Sequence, residues 1–79
     1  MNEMERLCSL AEKLFVAYRG TWSVEPAHVM VQRLQSCVIN EMIWSSRVLM
    51  KDDIEFVRRV LPALDYAGFE ECMARRATE

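Results

Sequence analysis

Residues 2–20 read NEMERLCSLAEKLFVAYRG and carry the signals of an amphipathic helix. Asn2 and Glu5 have the spacing of a capping box, and Gly20 stands where a helix-ending glycine belongs. Apolar residues recur at i, i+3 and i+4 spacing and predict one buried side. That side consists of Met4, Leu7, Cys8, Ala11, Leu14, Phe15 and Tyr18. We therefore predict a helix over residues 3–19, with Val16 exposed on its polar face.

A second helix is predicted over residues 24–50, after the short linker 20–23. Thr21 or Ser23 is expected to cap it, and Pro26 to lie in its first turn, where proline is tolerated. A linker this short makes the two helices antiparallel neighbours. The predicted core stripe consists of Val24, Ala27, Met30, Val31, Leu34, Cys37, Val38 and Met42.

The far end of this second helix has two interpretations. Glu41 and Ser45 fall inside the apolar stripe at about 100° per residue. Further apolar residues fall on the opposite side, namely Val29, Ile39, Ile43 and Met50. Either the helix breaks near residues 44–46, or it is continuous and has a second apolar face for a partner. We favour the continuous helix.

A third segment is expected to start at Asp52 or Asp53 as N-cap, with Glu55 completing an acidic capping box. Its predicted apolar face consists of Ile54, Val57, Val60, Leu61, Leu64 and Ala67. Pro62 falls on the polar side and either kinks this helix or ends it. The sequence leaves both outcomes open.

The last segment follows Gly68, which we interpret as a second break. Phe69, Cys72 and Met73 form a short apolar face, and two arginines end it, which complements the helix dipole. The whole chain, residues 1–79, is predicted to be a single all-α domain. The expected architecture is a small bundle of three or four helices with a long central helix.

Composition narrows the possible classes of protein. The chain has 79 residues, a net charge of −2 and 52% hydrophobic residues, which argues against disorder and against a strongly basic nucleic-acid module. The acidic N-terminus lacks the features of a signal peptide, and no stretch reaches the roughly 18 apolar residues of a membrane span. Cys8, Cys37 and Cys72 are widely spaced, so we expect free, buried thiols in the cytoplasm.

Catalytic and metal-binding patterns are weak. Glu25 and His28 form a single Glu-x-x-His motif, to which Glu41 could add a carboxylate, but the motif falls in a first helical turn. A nucleophilic pair of His28 with Cys8 or Cys37 is disfavoured because both thiols lie on apolar stripes. We therefore expect no enzyme activity, no cofactor and no metal.

An excess of large apolar residues is the best functional clue, because so short a chain buries only a thin core. The predicted function is a non-catalytic protein-interaction module, a small regulator or inhibitor of a larger protein, which also forms a homodimer through its second helix. The predicted apolar anchors are Trp22, Val29, Ile39, Ile43, Trp44 and Met50, with Arg33 and Arg47 at the rim.

Two alternative functions remain, the first suggested by small size and the lack of recognisable chemistry, and the second by topology. A phage- or plasmid-encoded inhibitor of a host nucleic-acid-handling defence complex would use acidic residues against a basic site. Those residues are Asp52, Asp53, Glu55, Glu70 and Glu71. A helix-turn-helix DNA-binding regulator is the other alternative. It is less favoured because residues 22–26, where a recognition helix would start, are apolar and acidic. We expect neither direct nucleic-acid binding nor membrane association.

Overall fold

The computed structural model describes residues 2–44 and 48–78, which form four α-helices, one short 3-10 turn and no strand. The helices are α1 (Glu3–Arg19), α2 (Ala27–Trp44), α3 (Lys51–Val60) and α4 (Tyr66–Ala77). The 3-10 turn, Leu61–Ala63, follows α3 directly. None of the described helices combines the length and apolar character needed to cross a bilayer. The predicted all-α bundle is confirmed, and α2 is the longest of the described helices.

α1 has the predicted bounds because local caps determine both ends. Asn2 Oδ1 accepts a hydrogen bond of 2.8 Å from the Glu5 N–H, and Asn2 Nδ2 donates to Glu5 Oε1 at 3.3 Å. At the other end Gly20 has φ +80°, and its N–H donates to the Val16 carbonyl. Glycine adopts this left-handed conformation without the steric cost that a Cβ would add. Val16 is exposed, as predicted.

α2 begins at Ala27, three residues later than predicted. The carbonyl of Pro26 accepts the first helical hydrogen bonds, from Val29 and Met30. Pro26 therefore precedes the helix and occupies the capping position. This corrects the prediction that Thr21 or Ser23 caps α2.

The prediction of one helix running to Met50 is wrong. α2 is described as far as Trp44, residues 48–50 are not helical, and α3 starts separately at Lys51. Of the two interpretations that the sequence left open, the break near residues 44–46 is the one that agrees with a separate α3. Residues 45–47 themselves, which include Ser45 and Ser46, lie outside the described residues.

The core stripe of α2 is shorter than predicted at both ends. Val24 lies before the helix and is 41% exposed, and Met42 is 48% exposed. Both predictions of core positions are therefore wrong. The remaining apolar members of the stripe, from Ala27 to Val38, are buried as predicted, and Glu41 is buried with them.

α3 follows the predicted pattern only in part. Met50 occupies its N-cap position and provides no capping side chain. This corrects the prediction that Asp52 or Asp53 caps the helix. Both aspartates lie instead in the first turn, where negative charge interacts favourably with the helix dipole.

The buried face of α3 consists of Phe56 and Val57. Phe56 lies outside the predicted apolar face, although it is only 4% exposed. Ile54 and Val60 are half-buried, and Ala67, predicted on the same face, is exposed. The face of α3 that meets the core therefore includes Phe56, which the prediction left out.

Pro62 accompanies a full break in the helix. α3 ends at Val60, Pro62 lies exposed in the 3-10 turn, and α4 starts with Asp65 as its N-cap. Asp65 Oδ1 accepts a hydrogen bond of 3.1 Å from the Gly68 N–H. Gly68 is therefore a residue of the first turn of α4, which corrects its prediction as a break.

The core forms where α1 packs against both α2 and α4, while α3 packs against α2. Its largest fully buried side chains include Phe15, Phe69, Leu7 and Leu14. Burying each such side chain stabilises the fold by roughly 1.5–3 kcal/mol. The predicted burial of Phe69, Cys72 and Met73 on α4 is confirmed.

Contacts of Arg6 and Arg76 join α1 to the two shorter helices. Arg6 binds Asp53 of α3 at 2.9 Å, and its guanidinium lies 4.1 Å from the centroid of the Phe56 ring. Arg76 Nε of α4 donates to Glu12 Oε2 at 2.8 Å. Partly exposed pairs of this kind contribute about 0.2–1 kcal/mol each, so they orient the helices more than they stabilise them.

Candidate interaction surface

A groove separates the C-terminal half of α2 from α3 and the 3-10 turn. It comprises two cavities of about 530 and 600 Å³, both lined by Met42 and Arg58. We name it the α2–α3 groove and define it by Ile39, Met42, Ile54, Arg58, Leu61 and Pro62.

The α2 wall of the groove continues into an exposed apolar surface. Ile39, Met42 and Ile43 have i, i+3 and i+4 spacing, which makes them neighbours on the helix surface. Their exposed fractions are 54%, 48% and 62%. A row of exposed apolar side chains beside a groove is typical of a surface that binds another protein.

Two cations line the same groove. Lys51 and Arg58 face the cavity that contains Glu55, an exposed residue of the same helix. Neither cation belongs to an ion pair within the described parts of the chain. Both cations are exposed.

Glu41 is the buried polar residue at the inner end of the groove, with 3% of its surface exposed. Its Oε2 accepts a hydrogen bond of 2.6 Å from the Tyr18 hydroxyl, and its Oε1 accepts one of 2.9 Å from the Leu49 N–H. These bonds join α1, α2 and the segment before α3. Glu41 therefore positions one end of the groove.

Trp22 and Arg33, predicted as partner contacts, are engaged inside the chain. Trp22 is half-buried and packs against the core. Arg33 binds Glu25 through two hydrogen bonds of 2.8 and 3.0 Å, and Arg19 binds Glu25 at 3.3 Å. The hydrogen bonds from Arg33 lower the pKa of Glu25, and Glu25 in turn raises the pKa of Arg33.

The other predicted anchors are not all in one place. Val29 is half-buried near the start of α2, whereas Trp44 and Met50 are 75% and 70% exposed. Trp44 lies about 160° around α2 from Met42 and lines neither cavity of the groove. Arg47 lies outside the described residues.

The five predicted acidic residues lie on two helices and differ in their pairing. Asp53 is tied to Arg6, whereas the other four are exposed and belong to no ion pair in the described chain. Those four are Asp52 and Glu55 on α3 and Glu70 and Glu71 on α4. α4 packs mainly on α1 and α2, so no extensive packing joins the two acidic pairs.

The structure locates the residues of the Glu-x-x-His motif and the three cysteines. His28 is exposed, and Glu25 is occupied by arginines. Across residues 2–44 and 48–78, no three His, Cys, Asp or Glu side chains are arranged to hold a metal ion. All three cysteines are free and buried, as predicted. Burial raises the pKa of Cys37, which lowers its reactivity.

Sequence reasoning missed most of the groove. It placed Met42 in the core, and it gave Arg58, Leu61 and Pro62 no partner role. Periodicity shows which side of one helix is apolar, but it does not show which helix lies beside it. The 3-10 turn and the packing of α3 on α2 create the groove.

Comparison with known proteins identifies no relative, so a functional proposal for this chain is based on its fold and its groove. The chain matches no protein-family model, no curated protein and no solved structure.

Proposed function

We propose that this chain is a non-catalytic protein-interaction module, a small regulator or inhibitor, that binds an amphipathic helix of a larger protein in the α2–α3 groove. The observation that carries the proposal is the row of Ile39, Met42 and Ile43 beside a groove that extends along two cavities. A helix with apolar anchors at i, i+3, i+4 and i+7 fills a groove of this kind. Met42 supports the proposal because a flexible thioether adapts to different partner side chains.

The cations that line the groove indicate which charge the bound helix should carry. Lys51 and Arg58 have no carboxylate partner among the described ion pairs, so they favour acidic residues on the flank of the bound helix. Arg58 contributes most to this preference, because it lines both cavities and its planar guanidinium binds a carboxylate through two hydrogen bonds. The proposed partner is therefore an acidic amphipathic helix.

The test is a titration of the isotope-labelled full chain with two synthetic helices that have the same leucine pattern. One helix has flanking glutamates, and the other has lysines at those positions. We expect amide shifts at the groove with the acidic helix and affinity at least about tenfold weaker for the basic one. Met42→Glu should weaken binding of the acidic helix by about tenfold or more, because it places a charge on the apolar wall.

Val16→Glu is the matched control, because Val16 is 46% exposed and lies on α1, away from the groove. It should leave the affinity unchanged. The proposal fails if both helices bind equally, if neither shifts signals at the groove, or if Val16→Glu weakens binding as much as Met42→Glu.

Self-association is a second candidate, supported by apolar residues outside the groove wall. Trp44 and Met50 are 75% and 70% exposed, more than any other large apolar residue among those described. We infer that they pack against a second copy of the chain. Light scattering over a concentration range should then show a dimer that Trp44→Ala converts to a monomer, while the control Tyr66→Ala leaves it intact. A monomer at all concentrations would rule this out.

A cytoplasmic location is part of the proposal. Three free thiols support it, because reducing compartments preserve unpaired cysteines. Fractionation of the source cells would test the location directly.

A further inference from the structure

A cavity of about 390 Å³ lies where the start of α1 meets the end of α3 and the start of α4. Within the described chain, none of its lining residues belongs to the α2–α3 groove. Its volume falls within the range of pockets that bind small molecules. Binding at this cavity is therefore independent of the proposed function.

The inner wall of this cavity is apolar. Leu7 is 1% exposed and lies deepest in it. Three half-buried side chains that pack against the core complete the wall, namely Met4, Val60 and Leu64. An apolar ligand group placed against this wall loses contact with water, which favours binding. Met4 adapts to the shape of that group, because its thioether side chain is flexible.

The outer wall of the cavity carries charges of both signs. Arg59 Nη1 lies 3.7 Å from Glu3 Oε1, and these two side chains are 64% and 70% exposed. The separation is longer than a hydrogen bond, so neither group satisfies the other. An exposed pair of this kind adds little stability, and a ligand can replace it at small cost. Asp65 adds a second carboxylate to the wall, and its Oδ1 accepts from the Gly68 N–H.

We propose that this cavity binds a free α-amino acid with an apolar side chain, such as leucine. The ligand carboxylate binds the Arg59 guanidinium through two hydrogen bonds. The ligand ammonium binds the Glu3 carboxylate, and Asp65 adds a second negative charge that attracts it. The apolar side chain lies against the inner wall.

The closeness of Arg59 and Glu3 selects this class of ligand. One carbon joins the ammonium and the carboxylate of an α-amino acid, so the two charges reach neighbouring side chains of opposite sign. An apolar amine leaves the guanidinium of Arg59 unmatched, and an apolar acid leaves the carboxylate of Glu3 unmatched. In a peptide, the terminal ammonium and carboxylate are further apart than in a single amino acid.

The test titrates the isotope-labelled full chain with leucine, methionine and phenylalanine and follows the backbone amide signals. We expect saturable binding of at least one of them, with a dissociation constant below about 1 mM and shifts at Leu7, Val60 and Leu64. The matched amine and the matched acid keep the side chain but lack one charged group. For leucine they are isoamylamine and isocaproate. Each should bind at least about tenfold more weakly than the amino acid.

Two variants test the charged residues of the outer wall. Arg59→Gln and Glu3→Gln should each weaken binding by about tenfold or more, because each removes the partner of one ligand charge. Both side chains are exposed, so we expect the fold to tolerate the replacements. Lys13→Gln and Glu70→Gln are the matched controls, because they remove the same charges at exposed positions outside the cavity. Both controls should leave the affinity unchanged.

The unmodified chain decides the matter even if a variant does not fold. Lack of saturable binding by all three amino acids would overturn the proposal. An amine or an acid that binds as tightly as its amino acid would overturn it as well, and so would shifts confined to the α2–α3 groove. Equal weakening by Arg59→Gln and Lys13→Gln, or by Glu3→Gln and Glu70→Gln, would exclude the assigned contacts.

Discussion

Glu41 Oε1 accepts a hydrogen bond of 2.9 Å from the Leu49 backbone N–H, so a carboxylate of α2 holds the segment that leads into α3. The other oxygen of the same carboxylate accepts from the Tyr18 hydroxyl of α1 at 2.6 Å. A buried carboxylate is stable only when hydrogen bonds replace its lost hydration. Glu41 thereby determines how α3 returns along α2, and the groove depends on that return.

Two replacements of Glu41 should distinguish the stability that its hydrogen bonds contribute from the stability that its side-chain volume contributes. Glu41→Leu leaves the Leu49 N–H and the Tyr18 hydroxyl without this acceptor, so we expect a loss of about 2–4 kcal/mol in the free energy of unfolding. Glu41→Gln keeps an acceptor for Leu49 and gains a donor for Tyr18, so its loss should be below about 1.5 kcal/mol. Urea unfolding at neutral pH measures both. Equal losses would contradict the assigned hydrogen bonds.

Phe56 should be the principal anchor of α3. It is 4% exposed and lies beneath the Arg6 guanidinium, so Phe56→Ala leaves a cavity and should cost about 3–5 kcal/mol. Calorimetry or urea unfolding gives the value. Tyr66→Ala, at a residue that is 44% exposed, should change stability by less than about 0.5 kcal/mol. A loss below about 1 kcal/mol at Phe56 would contradict the observed packing of α3.

Gly20 ends α1 through its backbone conformation. No atom lies within 4 Å of a Cβ built there, but φ is +80°, so Gly20→Ala introduces backbone strain without a clash. We expect a loss of about 1 kcal/mol in thermal or urea unfolding. Gly20→Asn should cost less, because asparagine adopts the left-handed region more readily. Equal losses for the two variants would argue against strain as the cause.

Glu25 should titrate at unusually low pH in the folded protein. Hydrogen bonds from Arg33 hold the pKa of Glu25 below its ordinary value of 4.5. Its ionised form therefore favours the folded state above the unfolded-state pKa, and this contribution disappears as pH falls through the lower folded-state pKa. Carbon-detected NMR of the Glu25 carboxyl measures the midpoint. Arg33→Gln should move the midpoint upward, and an unchanged midpoint would contradict the assigned cause.

Local features of the sequence determined both ends of α1. Asn2, Glu5 and Gly20 act through hydrogen bonds and backbone preferences that span only a few residues. The ends of α1 can therefore be recognised from the sequence without knowledge of the tertiary structure. The same reasoning correctly placed Phe69, Cys72 and Met73 in the core. Helical periodicity likewise sufficed for the all-α class and for most of the α2 core stripe.

Only the tertiary structure decided the burial of Met42 and Phe56, whereas the exposure of Val16 was predicted from the sequence. Met42 and Phe56 both carry large apolar side chains, yet Met42 is exposed and Phe56 is buried. The difference arises because α2 does not continue to Met50, and a separate α3 returns to pack on α2 with Phe56 and Val57 buried. That return also places Arg58 beside Met42 in the groove. Burial depends on which neighbours meet in space, and helical periodicity within one segment does not contain that information.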